Sequence, residues 1–244
     1  MSNGKIILTC GLLGVTSALG WHLMTRVPAA HVALSLDPSA SVERKCGDLP
    51  GATRNFLGAT PGVKAGSTLT MLVMGTDTRN AQPKLAFSAA VPIPPDTVYG
   101  KDNEAHAKAE EEFFGKIEQH CTSAKAGSGS PIYELVKQGL AHLQSSPSLC
   151  GPKRPCASLI KTDLDEDVNP SIRSVLDRAV KDPGVSVPAE LARSLNNAGV
   201  DVTFCGVAEV LPRRKPGASL DARQQIWTAM FTNPELVHFQ PYCQ

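Results

Sequence analysis

Apolar and polar positions along the chain follow two different periods, which predicts strands that alternate with helices. Short apolar runs of β-forming residues predict strands at residues 68–74, 85–91, 157–161, 200–207 and 236–239. Apolar residues three and four positions apart predict amphipathic helices at residues 103–125, 132–143, 171–180, 189–197 and 220–231. The alternation predicts an α/β fold, doubly wound around a mostly parallel sheet.

The N-terminal stretch differs from the rest of the chain. Residues 6–24 contain no Lys, Arg, Asp or Glu, and a stretch of this length can just cross the hydrocarbon core of a bilayer. An uncleaved signal anchor and a signal peptide cleaved near residues 27–29 both fit this pattern, with a buried core helix as the third alternative. We expect residues 1–30 to be an anchor or signal peptide and the rest of the protein to lie outside the cytoplasm, tethered to the membrane.

Residues 31–67 are rich in Pro, Ser, Gly and Ala and show little periodicity. Such a composition is typical of a linker. We therefore expect this segment to join the membrane to a folded domain that covers residues 68–244.

Charge and cysteine content limit the function classes. A net charge of +1 and an aromatic content of 5% give no basis for binding nucleic acid. Apart from Cys10 in the apolar segment, six cysteines remain, an even number that indicates disulfides in an exported chain. Cys150 and Cys156 lie close enough in sequence for us to expect a bridge between them. The paired spacing of a zinc site is absent.

An acidic cluster follows the strand predicted at residues 157–161. Asp163 is followed by Asp165, Glu166 and Asp167. Ligands of open α/β sheets bind beyond the carboxyl ends of the strands, and carboxylates gathered there suit a hard cation. The alternative interpretation is an acidic loop exposed to solvent.

The order of these elements resembles a von Willebrand factor type A domain over residues 68–244. A polar loop at 76–80 follows a strand, a Gly-Ser turn at 127–130 leads into a helix, a strand ends in Thr162-Asp163, and a later unit reads NNAGVDVTFCGV. The first loop and the Cys-Gly-Pro-Lys turn at 150–153 also resemble a bacterial group of short, single-anchor proteins of this type. The resemblance implies a Rossmann-like fold that holds Mg²⁺ or another divalent cation and binds another protein, whose acidic group completes the metal site.

In that family the loop after the first strand carries an Asp-x-Ser-x-Ser motif, a Thr precedes a later helix, and an Asp follows a further strand. By this resemblance the expected metal ligands are Asp77, Thr78, Ser130 and Asp163. The positions two and four after Asp77 are Arg79 and Ala81, neither of which can bind a cation. The sequence therefore predicts a degenerate metal-ion-dependent adhesion site.

The function we expect is a membrane-tethered protein-binding module that is not an enzyme and that meets its partner at the C-terminal edge of the sheet. No Gly-x-Ser-x-Gly elbow and no phosphate-binding loop is present in the sequence. Two alternatives stay open. One is an exported metal-dependent hydrolase or phosphoesterase built on Asp163, Asp165 and Asp167, and the other is a metal-free structural subunit of an envelope assembly.

Overall fold

A single sheet organises the part of the chain that the computed structural model describes, residues 29–37, 46–64, 66–74, 83–93, 101–124, 129–145, 150, 155–208 and 217–243. Its strands are β1 (His31–Leu36), β2 (Thr68–Val73), β3 (Lys84–Ala90), β4 (Cys156–Lys161), β5 (Val200–Cys205) and β6 (Val237–Gln240). The spatial order is β3-β2-β1-β4-β5-β6. Only the edge pair β2–β3 is antiparallel within these residues.

Helices cover both faces of this sheet. They are α1 (Leu49–Ala59), α2 (Lys101–Ser123), α3 (Ile132–Gln144), α4 (Pro170–Ala179) and α5 (Leu220–Ala229). The first two pack into one apolar core, and the other three pack into a second core on the opposite face. The predicted doubly wound, mostly parallel, Rossmann-like α/β architecture is therefore confirmed. The hydrophobic helix expected at the N-terminus lies outside the described residues.

Local sequence explains where the helices of the second core begin. The Asn169 side chain accepts hydrogen bonds from the N–H groups of Ser171 and Ile172, with Pro170 at the first helical position of α4. The Ser219 hydroxyl accepts from the Ala222 N–H and caps α5 in the same way. These caps hold both helices at defined starting points beside the end of β4.

The predicted linker at residues 31–67 is wrong. This segment supplies β1, which lies in the middle of the sheet between β2 and β4, and it also supplies α1. Residues 32–36 of β1 are all buried. The small side chains of Ala33 and Ser35 face the second core, where Ser35 lies beside Gly139 of α3, and such small residues are also common in linkers. The folded domain thus begins before residue 68.

The helix predicted at residues 189–197 is also absent. Arg193 adopts the left-handed conformation, with φ of 56°, which ends any helical turn. Leu195 then forms an isolated parallel bridge with Phe231. The apolar spacing that predicted a helix instead places Leu191 and Leu195 in the second core.

Three disulfides join described residues: Cys46–Cys121, Cys150–Cys156 and Cys205–Cys243. Structural disulfides form and persist mainly outside the cytoplasm, as expected for an exported protein. Among the described residues, no helix has both the length and the apolar character needed to cross a bilayer. Residues 6–24 lie outside that part of the chain, so the membrane anchor stays a prediction.

Replacing Leu34 with Ala tests the central position of β1. Leu34 is fully buried, so the substitution should lower the free energy of unfolding by about 2–5 kcal/mol. Leu85→Ala is the matched control, because Leu85 is 58% exposed on β3, and it should cost no more than about 0.5 kcal/mol. Urea unfolding of the full chain measures both values. If Leu34→Ala lowers the free energy of unfolding as little as the control does, residues 31–36 are not a central strand and the linker prediction is correct.

Candidate functional site

The pairing of β1 with β4 places two polar side chains next to each other at the C-terminal edge of the sheet. Leu36 is in register with Lys161, so Asp37 and Thr162 leave their strands side by side. The Asp37 N–H donates to the Lys161 carbonyl over 3.1 Å, and the Thr162 hydroxyl donates to Asp37 Oδ2 over 3.1 Å. Asp37 is only 1% exposed. Its carboxylate is therefore fixed by the central strands of the sheet.

Asp163 follows Thr162 and is fully buried. Its Oδ1 accepts a hydrogen bond of 3.0 Å from the Asp165 N–H, and its backbone carbonyl accepts from the Arg223 guanidinium. Leu164 then adopts a left-handed conformation, with φ of 62°. The carboxylate thus lies at a tight turn immediately after β4.

Ser130 is brought against the same turn. Its N–H donates to the carboxylate of Asp167, and the Asp167 N–H lies 3.4 Å from the Ser130 carbonyl oxygen. Ser130 is 1% exposed. The segment before α3 and the segment after β4 are therefore bonded to each other, which places Ser130, Asp163 and Asp37 at one edge of the sheet.

Glu166 joins these segments a second time. Its Oε2 accepts from the Tyr133 N–H over 2.8 Å, and its Oε1 accepts from the N–H groups of Val168 and Asn169 over 2.8 and 2.9 Å. The N-cap residue of α3 makes no side-chain hydrogen bond to the helix. Glu166 instead accepts from the Tyr133 N–H, one of the N–H groups in the first turn that have no partner within the helix. The Ser130 segment is held by Asp167 instead.

The acidic cluster is consequently part of the structure of the turn. Glu166 is buried and accepts from three backbone N–H groups, so it does not fit the solvated-loop interpretation, whereas Asp167 is exposed and accepts from the Ser130 N–H. Burial raises the pKa of Glu166 above its ordinary value of 4.5, and the three backbone donors only partly oppose this rise.

Two of the predicted ligands, Asp77 and Thr78, lie outside the described residues, so their role stays a prediction. The position of β1 points to a different loop. Directly after β1 the sequence reads Asp37-Pro38-Ser39-Ala40-Ser41, which is a complete Asp-x-Ser-x-Ser motif. Sequence reasoning missed it because residues 31–67 were interpreted as a linker. The signal that could have found it is the short apolar run immediately before Asp37.

The donor types at this edge fit a divalent cation. Carboxylate and hydroxyl oxygens are the ligands that Mg²⁺ and Mn²⁺ prefer. Asp37 and Asp163 are buried, and a buried carboxylate is costly unless hydrogen bonds or a cation compensate its charge. Among the described residues, no cluster of three or more His, Cys, Asp or Glu could hold a metal. A site here therefore depends on two carboxylates together with serine hydroxyls.

Comparisons with known proteins give only weak similarities. No protein-family model matches the chain, and no curated protein matches it significantly. Among solved structures, the pilus adhesin SpaC from Lactobacillus rhamnosus GG in its open conformation is 13% identical, with a TM-score of 0.45, covering 88% of this chain and 28% of that protein. Proximal thread matrix protein 1 from the mussel byssus is 16% identical, with a TM-score of 0.44, covering 89% of this chain and 44% of that protein.

A third similar structure is the manganese-loaded TRAP protein of Plasmodium vivax, at 12% identity and a TM-score of 0.37, covering 79% of this chain and 66% of that protein. The chain spans less than half the length of the adhesin and of the byssus protein. At these TM-scores the similarities support no functional conclusion. The functional proposal rests on the geometry of the site and on the sequence motif that begins at Asp37.

The raised pKa of Glu166 predicts a pH-dependent stability. Just above pH 4.5 the folded protein keeps a proton on Glu166 that the unfolded chain has already released. This contribution is complete below about pH 4.5 and is lost as the pH rises through the raised pKa. Glu166→Gln cannot titrate, so the free energy of unfolding of wild type minus that of the variant should fall as the pH rises from 4.5.

Urea unfolding at a series of pH values from 4 to 7.5 measures this difference. Glu118→Gln is the matched control, because it makes the same change at an exposed position of α2. Its pH profile should follow that of wild type. A difference for Glu166→Gln that stays constant or grows with pH would show that burial does not dominate the ionisation of this group.

Proposed function

We propose that this chain is a protein-binding module of the von Willebrand factor type A kind, which meets its partner through a divalent cation at the C-terminal edge of the sheet. The observation that supports this most strongly is the position of Asp37. It ends the central strand, bonds to Thr162 beside Asp163, and begins an Asp-x-Ser-x-Ser sequence. The strand order around it is that of a doubly wound sheet, in which ligands bind at this edge.

The ligands in this proposal are Asp37, Ser39, Ser41, Ser130 and Asp163. Ser39 and Ser41 enter from the sequence motif alone, since they lie outside the described residues. The two carboxylates would bind the ion and formally balance its double charge, and the hydroxyls would supply further oxygen ligands without adding charge. When bound, the cation offers a remaining position to an acidic group of the partner protein. Asp37 replaces Asp77 as the leading carboxylate, so the motif is complete and no longer degenerate.

The two buried carboxylates of the proposed site are held in place by hydrogen bonds within the protein. Asp37 and Asp163 are fixed by Thr162 and by the Asp165 N–H before any ligand arrives. Fixed oxygens reduce the ordering that binding requires. A carboxylate of the partner would then supply a further charged oxygen ligand, which divalent cations of this kind prefer.

The proposal also covers the location of the protein in the cell. The three disulfides support a protein exposed to an oxidising compartment, and the apolar residues 6–24 support a membrane tether ahead of β1. With β1 beginning at His31, the tether is short, so the module would work close to the membrane surface.

Replacing Asp37 with Asn tests the assignment of the leading ligand. The amide keeps an oxygen for the Thr162 hydroxyl but loses the charge, so affinity for Mn²⁺ should fall by about a hundredfold. Asp77→Asn makes the same change after β2 and should alter the affinity by less than about twofold, because Asp77 is not a ligand in this proposal. Calorimetric titration of the full chain with MnCl₂ measures both.

Three results of that titration would contradict the proposal. A loss for Asp77→Asn with no loss for Asp37→Asn would place the leading ligand after β2. Equal small losses would show a degenerate site. Absence of binding in the wild type at millimolar Mn²⁺ would favour the metal-free structural subunit.

A further inference from the structure

Two side chains of α5 bond consecutive carbonyl groups of the turn that carries Asp163. The Arg223 guanidinium donates through Nη1 to the carbonyl of Asp163. One helical turn later, Trp227 donates through Nε1 to the carbonyl of Leu164 over 3.0 Å. Arg223 is 8% exposed and Trp227 is fully buried, so both bonds lie inside the protein. Such bonds are worth more than those that compete with water.

The turn that these bonds hold is strained. Leu164 adopts the left-handed backbone conformation, with φ of 62°. This conformation is unfavourable for residues other than glycine, because the Cβ atom lies too close to the following carbonyl oxygen. A residue stays in such a conformation only when surrounding contacts impose it. The side chain of Leu164 is buried in the second core, its N–H donates to the Thr162 hydroxyl over 3.2 Å, and its carbonyl is the acceptor of Trp227.

The contacts continue to the other carboxylate of the site. The Thr162 hydroxyl that accepts from the Leu164 N–H also donates to Asp37 Oδ2. An unbroken series of hydrogen bonds therefore runs from the indole of Trp227 through Leu164 and Thr162 to Asp37. Movement of the turn would disturb both carboxylates together.

We infer that Arg223 and Trp227 are positioning residues that hold the Asp163–Leu164 turn in the conformation the cation site requires. This rests on the proposed function for the cation and on the observed contacts for the positioning. Both side chains only donate hydrogen bonds here, so neither can bind a cation itself. They act through Asp163 and, by way of Thr162, through Asp37.

Trp227→Phe is the cleanest test, because it removes the indole N–H but keeps an aromatic ring beside Phe204, whose centroid lies 5.8 Å away. In the metal-free full chain, the amides of Leu164 and Asp165 should exchange about tenfold faster than in wild type. Both amides are bonded within the turn. Ile226→Val is the matched control, since Ile226 is buried next to Trp227 on α5 and its truncation should leave these two amides unchanged.

Mn²⁺ titration of the same variants gives the second measurement. Trp227→Phe should bind Mn²⁺ about tenfold more weakly, as is usual when an outer contact of a metal site is lost. Arg223→Met separates positioning from charge. Removing a positive charge near a cation site would tighten cation binding if Coulomb repulsion dominated, whereas lost positioning should weaken it by about tenfold.

Leu164→Gly provides a rescue that a merely structural role would not show. Glycine adopts a positive φ without the penalty of a side chain. Added to Trp227→Phe, it should restore most of the Mn²⁺ affinity while lowering the melting temperature further, because buried apolar contacts are lost. Affinity and stability would then move in opposite directions.

These outcomes separate this inference from the proposed function. Unchanged exchange of Leu164 and Asp165 in Trp227→Phe, tighter Mn²⁺ binding by Arg223→Met, or a double variant that binds more weakly than Trp227→Phe would each overturn the positioning role. A wild type that binds no Mn²⁺ would overturn the proposed function, while the exchange measurement would still decide whether α5 holds the turn.

Discussion

The parallel pairing of β1 with β4 is the interaction on which the rest of the site depends. Because Leu36 is in register with Lys161, Asp37 and Thr162 come to lie side by side at the edge of the sheet. A slip of one residue would exchange the two faces of β1, moving apolar side chains from one core to the other. The packing of Val32 and Leu34 against α1 and α2 therefore sets the position of Asp37.

The turn after β4, which carries the buried carboxylates of Asp163 and Glu166, is held from two sides. Asp167 and Glu166 bond the segment before α3, and Arg223 and Trp227 of α5 bond the carbonyls on the other side. Burying a charged or polar group costs several kcal/mol unless it finds partners, roughly 2–7 kcal/mol for a neutral one. A strained residue in the middle of this arrangement is a feature found at sites where conformation matters for binding.

Sequence reasoning succeeded where the signal was local and continuous. β2, β4 and β5 are short runs of mostly apolar or β-branched residues, which predicted all three strands, and Asp163 was proposed as a ligand because it follows the second of these runs. β1 was missed because the Pro-, Ser-, Gly- and Ala-rich composition of residues 31–67 favoured a linker, and missing β1 hid the motif that begins at Asp37. The error in the site was thus a consequence of the error in the fold.

The remaining contacts of the site join residues far apart in the sequence. Glu166 bonds Tyr133, and Arg223 bonds Asp163, so no local pattern announces either role. The Ser130 N–H likewise donates to the carboxylate of Asp167, which lies 37 positions later in the sequence.

The most direct measurement is a crystal structure of the chain grown with MnCl₂, with anomalous diffraction collected at the manganese edge. We expect one anomalous peak within bonding distance of carboxylate oxygens of Asp37 and Asp163 and next to the Ser130 hydroxyl. A structure that shows no peak there at saturating Mn²⁺, or shows it among Asp165, Asp167 and the loop after β2, would contradict the account.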